Sequence, residues 1–311
     1  MSRAFVFPGQ GAQTIGMGKA LADAYPASKA VFDEVDEALG ERLSALIWQG
    51  DAKTLTLTQN AQPALMATSL AAVRALETEG LNMETAAYVA GHSLGEYSAL
   101  AAVGSISVAD TARLLRSRGV AMQEAVPIGV GAMAAVLGLD FDTVVTVAAE
   151  AAEGQVCQVA NDNDPGQVVV SGDKNAVERA ILIAKEKGAK RAILLPVSAP
   201  FHCALMAPAA EAMAIELAQV HIAAPVVPVV ANVLAESVVD PGQIRQLLVS
   251  QVTSMVRWRE TVSWLGAQNV TDIWELGAGK ALSGMVRRID RSITCRSVGG
   301  ADDVVKAVES L

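Results

Sequence analysis

Aromatic side chains are scarce in this chain of 311 residues, at 4% of the total, and positive charge is in deficit, with 24 Lys and Arg against 33 Asp and Glu. A surface with few stacking rings and a formal net charge of −9 repels a phosphate backbone, so nucleic acid is excluded as a partner. Cysteine is almost missing too. Cys157, Cys203 and Cys295 are odd in number and far apart. They form no Cys-x-x-Cys pair to bind a metal or run redox chemistry, and read as reduced and mostly buried. Nor is there an uninterrupted membrane-length apolar run. The two long charge-free stretches, 192–210 and 217–235, are broken by Pro196, Pro200, Pro208 and His202, and by His221, Pro225, Pro228 and Asn232. Both read as buried strands and turns rather than bilayer helices. Pro8 and Gly9 cut the N-terminal apolar segment too short for a signal peptide. The expectation is a cytoplasmic protein away from membranes.

What the chain does have is apolar bulk, 52% hydrophobic against 18% charged, mostly Ala, Val and Leu. That composition suits packed helices and buried parallel strands. An apolar strand at 4–7 turns at Pro8 to Gly11 into helical patterning over 17–39, and a second helix covers 61–79. Strand 86–90 meets a turn at Gly91, and a helix starts near Leu94. Ser107 is a fitting N-cap for a helix over 108–125. Between 132 and 195 the order is strand, helix, strand, strand, helix, strand, a ferredoxin-like unit. Strand and helix then alternate again, with helices at 208–219, 244–252, 261–267 and from 281, and strands at 226–230 and 272–275. The expected fold is α/β: a large α/β-hydrolase-like body with a parallel sheet (1–127 and 197–311) and an inserted small ferredoxin-like subdomain (128–196).

The chemistry points to Ser93. Gly91-His92-Ser93-Leu94-Gly95, between a strand and a helix, has the form of a nucleophile elbow, where only small neighbours let a serine hydroxyl project into a cleft. The helix that follows offers amides, that of Leu94 among them, to a developing oxyanion. A serine needs a base, and the three histidines are His92, His202 and His221. His92 adjoins the nucleophile and points to the other side of the chain, lining the site. His221 follows a helix and reads as structural. His202, in the loop Val197-Ser198-Ala199-Pro200-Phe201-His202-Cys203, is favoured by elimination. The group that orients it stays open: Asp240, Asp272, Glu275 or an amide carbonyl would serve. Arg118, near a helix end, could simply solvate that end.

Phe7-Pro8-Gly9-Gln10-Gly11, Gln62-Pro63-Ala64, Gly91-His92-Ser93-Leu94-Gly95-Glu96-Tyr97 and Pro200-Phe201-His202 together resemble the malonyl-CoA:acyl carrier protein transacylase family, in order from residue 4 to about 290. The resemblance implies transfer of malonyl from coenzyme A to Ser93, and then to the pantetheine thiol of acyl carrier protein. It implies no cofactor, since the coenzyme A thioester is a substrate. His202 maps onto the base, Gln251 onto the residue whose main-chain carbonyl orients it, Gln10 and Leu94 onto the oxyanion amides, and Arg118 onto the arginine that grips the malonyl carboxylate. Asn163 lies in a stretch that borders the family's cleft, making it a substrate contact beside His92. Phe201, directly before the base, is expected to crowd the acyl α-carbon and favour malonyl over methylmalonyl.

Other signals lead elsewhere. Gly277-Ala278-Gly279-Lys280 fails as a phosphate loop, with Ala281 after the lysine and Trp274 at the first-glycine position. Asn161-Asp162-Asn163-Asp164 lacks the glycine and terminal glutamate of a calcium loop and reads as a turn. An acidic carrier protein would need a local basic patch on this acidic chain. The candidates are Lys185, Lys187, Lys190 and Arg191, or the more compact Arg287, Arg288 and Arg291. A serine hydrolase and an inert docking subunit are the rival functions, and Arg118 weighs against both. A discrete chain without appended domains suggests a monomer.

Overall fold

The computed structural model describes residues 2–309; the end residues 1, 310 and 311 of the expected large body lie outside them. Strand β1 (Ser2–Phe7) shows at once why the main sheet is buried on both faces. Successive side chains of a strand point to opposite sides. Phe5 and Phe7 enter one core cluster, while Ala4 and Val6 enter another. The first holds the long helices Thr58–Thr78 and Val108–Glu124, and the second holds Trp258–Ala267 and Ala281–Ile289.

The remaining strands among the described residues are β2 (Tyr88–Gly91), β3 (Gly131–Leu137), β4 (Cys157–Asp164), β5 (Gln167–Asp173), β6 (Arg191–Leu194), β7 (Val229–Ala231), β8 (Glu236–Val238), β9 (Val270–Leu276) and β10 (Thr294–Val298). Six form a sheet in the order β10-β9-β1-β2-β7-β8, parallel throughout except for the β7–β8 hairpin at one edge. Four form an antiparallel sheet in the order β4-β5-β3-β6. With helices Phe141–Ala152 and Lys174–Glu186 it has the ferredoxin-like arrangement and a core of its own. The α/β expectation, a largely parallel sheet with a small antiparallel unit, therefore holds. The small sheet is tied to the large body where Val256, in the segment before helix Trp258–Ala267, donates to Ala160 O at 2.9 Å and accepts from Asp162 N at 3.0 Å.

Three local expectations change. The helix expected over 17–39 is two, Lys19–Ala24 and Pro26–Leu39, because Tyr25 precedes a proline and is extended, with φ −125° and ψ 112°. The expected turn at 161–164 is instead the end of β4, bulged between Asp162 and Asp164. Distant arginines make that strand tolerable. Buried Asp162 receives Arg259, and buried Asp164 receives Arg288 Nε at 2.8 Å. The strand expected at 226–230 is the shorter β7. Helices Leu43–Gln49, Ala52–Thr56 and Ala301–Val308, with strands β8 and β10, complete the body beyond the elements read from the sequence.

At the carboxyl end of β2 the chain turns sharply into helix Leu94–Ala102. A Cβ on Gly95 would sit 2.2 Å from Phe7 O, and one on Gly91 would sit 1.9 Å from the carbonyl carbon of Gly95. Both obstacles are main chain and cannot swing aside. Gly95→Ala is therefore expected to cost about 1–3 kcal/mol of stability and to depress reaction at Ser93 more than tenfold. Gly284→Ala, whose new methyl meets only Arg288 Nη1 at 3.5 Å, should be tolerated. Melting curves and Ser93 labelling rates on both variants check this.

Candidate active site

Ser93 sits on the turn with φ 54° and ψ −110°, a conformation that L-residues rarely hold. Its Oγ lies 2.8 Å from His202 Nε2. His202, buried and itself at φ 59°, is directed by its other nitrogen. Nδ1 donates to Gln251 O at 2.9 Å and to Ser254 O at 3.1 Å. Two main-chain carbonyls, rather than an acid, face Nδ1; since a carbonyl only accepts, Nδ1 carries the proton and Nε2 is left as the acceptor. Burial, reinforced by the Arg118 charge, pulls the imidazole down to about 3. Asp272 and Glu275 are spent elsewhere, on Arg3 and Trp274 and on the start of helix Ala281–Ile289, respectively.

Arg118 is fully buried at 1% exposure, which rules out the helix-end solvation reading. Gly119 is the local reason. A Cβ there would lie 2.4 Å from Gln59 Cα, so its absence lets helix Val108–Glu124 press against helix Thr58–Thr78 and delivers the neighbouring guanidinium to the centre. Nη1 donates to Gln62 Oε1 at 2.7 Å, and Nη2 to Gln251 Oε1 at 2.8 Å and to Ser93 Oγ at 3.1 Å. Its Nε has no hydrogen-bond partner among the described residues. These neighbours are neutral, so the cation keeps its capacity for an anion.

A cavity of about 380 Å³ opens over these groups. Gln10, His92, Ser93, Leu94, Arg118, Phe201 and His202 line it, with Met122 and Met133 supplying apolar wall. Gln10 lies on the exposed turn after β1, its side chain accepting from Thr58 Oγ1 at 2.8 Å. Leu94 begins the helix after the nucleophile. Gln251 is absent from the lining and meets His202 from behind, through its carbonyl. Asn163 does not line the cavity. It is buried and holds His92 Nε2 at 2.9 Å, while Asn161 reaches the lining. His221 is exposed and remote from the cavity. In the basic clusters, Arg288 is paired with Asp164, Arg287 donates to Cys295 O, and Lys187 meets Glu150 at 2.9 Å.

Three residues that the sequence reading assigned no role complete the site. Gln62 holds Arg118; Asn232 accepts from Ser93 N at 2.7 Å; and Glu96 accepts from both Asn232 N and Gln251 Nε2. The signals were there: an amide, Asn232, amid the apolar end of a charge-free stretch, and Glu96, the one charged residue of its helix. No cluster of side chains among the described residues could hold a metal ion, and none of their helices is long and apolar enough to cross a membrane.

The profile of the acyl transferase domain family matches residues 4–273. The chain is 47% identical over 306 residues to the malonyl CoA-acyl carrier protein transacylase of Escherichia coli K12, covering 98% of each chain. It is 47% identical over 309 residues to that of Bacillus subtilis 168, covering 99% of this chain and 96% of the relative. The crystal structure of an acyl-carrier-protein-S-malonyltransferase from Bartonella henselae superposes with a TM-score of 0.98 at 54% identity, over 100% of this chain and 99% of that one. A malonyl-transacylase solved in complex with a type II PKS acyl-carrier protein superposes with a TM-score of 0.97 at 42% identity, over 100% of both chains.

Proposed function

The chain belongs to the malonyl CoA-acyl carrier protein transacylase family and is a malonyl-CoA:acyl carrier protein S-malonyltransferase; we propose that it works through a malonyl-serine on Ser93, as a cytoplasmic monomer serving fatty-acid synthesis. In the first half-reaction Ser93 Oγ bonds the thioester carbon while His202 Nε2 takes the hydroxyl proton. The oxyanion is held by the Gln10 and Leu94 amides. The intermediate collapses, the C–S bond breaks, and coenzyme A leaves as a thiol with the proton from His202. In the second, the pantetheine thiol of acyl carrier protein gives its proton to His202 and attacks the malonyl-serine. Ser93 departs and is reprotonated. Arg118 grips the free carboxylate throughout, and Phe201, with His92 beside it, walls the acyl chain.

The observation that carries this reading is a buried guanidinium 3.1 Å from a serine that is itself 2.8 Å from a histidine. Simple ester hydrolysis has no use for a second anion site. Mixing the protein with malonyl-CoA and taking intact masses is the test: a malonyl adduct on Ser93 that persists until carrier protein is added is expected. Rapid release of free malonate without carrier protein would make it a hydrolase. With equimolar malonyl-CoA and methylmalonyl-CoA, the malonyl adduct should predominate by about tenfold, the worth of one crowded methyl; equal adducts would remove Phe201 from selectivity.

A further inference from the structure

The strain at Ser93 has to be held by something, because a non-glycine residue at φ 54° and ψ −110° persists only where its surroundings over-determine it. Both main-chain polar groups of Ser93 are held by side chains from distant segments. Its N–H donates to Asn232 Oδ1 at 2.7 Å, and its carbonyl accepts from Gln251 Nε2 at 3.1 Å. Asn232 also grips the other side of the turn, donating from Nδ2 to Gly91 O at 2.6 Å. Gln251 meanwhile receives His202 on its main-chain carbonyl and Arg118 on its side-chain oxygen. The two clamps meet at one atom. Glu96 Oε2 accepts from Asn232 N at 2.9 Å and from Gln251 Nε2 at 2.8 Å.

We propose that Glu96 is a positioning residue whose buried carboxylate anchors Asn232 and Gln251, and through them the strained main chain of Ser93 and the imidazole of His202. It touches no substrate; it lies below the elbow at 3% exposure and is absent from the cavity lining. A carboxylate suits this place better than a neutral acceptor, because both bonds become charge-assisted and the guanidinium of Arg118 lies on the far side of the Gln251 amide. The charged or titratable groups that face Glu96 are Arg118 and Tyr97, with His202 one residue beyond Gln251. Burial raises the Glu96 carboxyl to about 7, against the opposing pull of Asn232, Gln251 and Arg118. The carboxylate is therefore present above neutrality and is lost as the pH falls through it.

The inference rests on the proposed role of Ser93 and His202, and its test is chosen to fail separately. A neutral aryl sulfonyl fluoride reports the Ser93–His202 pair without needing Arg118 or a malonyl group. Glu96→Ala and Glu96→Gln are compared with wild type for rates of sulfonylation and malonyl loading, per folded molecule counted by circular dichroism. Glu96→Ala should slow both about 10²-fold, the cost of a misplaced reacting group, and Glu96→Gln should recover about tenfold of that, since its amide oxygen still accepts. The wild-type sulfonylation rate should fall below about pH 7, an inflection absent from Glu96→Gln. Unchanged rates in both variants would overturn the proposal, as would slowed malonyl loading with normal sulfonylation, which would leave Glu96 serving Arg118 alone. If Glu96→Ala does not fold, the pH profile of Glu96→Gln decides, and an inflection identical to wild type overturns it. A wild-type protein that is sulfonylated but never malonylated would instead sink the malonyl-serine reading.

Discussion

Loading of Ser93 from malonyl-CoA is expected to fall about 10²–10⁴-fold when His202 is replaced by alanine, the usual worth of a positioned general base. The geometry makes His202 hard to substitute. Its Nε2 lies 2.8 Å from Ser93 Oγ, and its Nδ1 is fixed on the carbonyls of Gln251 and Ser254, so water entering the space would lack the same direction. The pH dependence follows from the sign of the shift. Burial first, and the Arg118 charge second, pull the imidazole down to about 3. The neutral, proton-accepting form is therefore present at every pH above that and is lost only as the pH falls toward 3. Stopped-flow loading of Glu96→Gln, which lacks the buried carboxyl, should show no inflection near the ordinary histidine value of about 6.5. An inflection there would show an imidazole that burial leaves unshifted, whereas a His202→Ala protein within threefold of wild type would deny His202 the role of base.

Replacing Arg118 with alanine should lower malonyl loading about 10²–10³-fold, as expected for loss of two charge-assisted hydrogen bonds to a desolvated carboxylate. Acetyl loading from acetyl-CoA should suffer far less. Some common loss is built in, because Arg118 Nη2 also touches Ser93 Oγ and Gln251 Oε1, so the informative quantity is the ratio of the two rates. Lysine at 118 keeps the charge but not the planar fork, and in a buried slot beside Gln62 it should restore only part of the ratio. Equal losses for malonyl and acetyl would make Arg118 a structural residue.

The elbow and the histidine that faces its serine were legible before any coordinates. Gly91 and Gly95 flank a serine between a strand and a helix, and such a turn is encoded by adjacent residues. The ferredoxin-like unit was legible for the same reason, since alternating strand and helix periods are local patterns. The tail of β4 was not. Asn161 to Asp164 carries turn-forming residues, and only Arg259 and Arg288, about a hundred residues away, make its aspartates acceptable in a buried strand.

The sequence by itself determined the α/β class, the placement of Ser93 on a strained turn, and the histidine that lies against it, because each follows from neighbouring residues or from there being three histidines to choose among. Residue pattern left Arg118 and Gln251 undecided and the family resemblance alone pointed to them; their geometry around Ser93 and His202, and Glu96 as the anchor beneath both, were decided by tertiary structure. Glu96 meets Asn232 and Gln251 across 136 and 155 residues of chain, and Arg118 reaches the centre only because Gly119 lets two helices touch. Periodicity and turn chemistry act over a few residues, whereas the burial of a charge depends on whichever distant groups the fold brings to it.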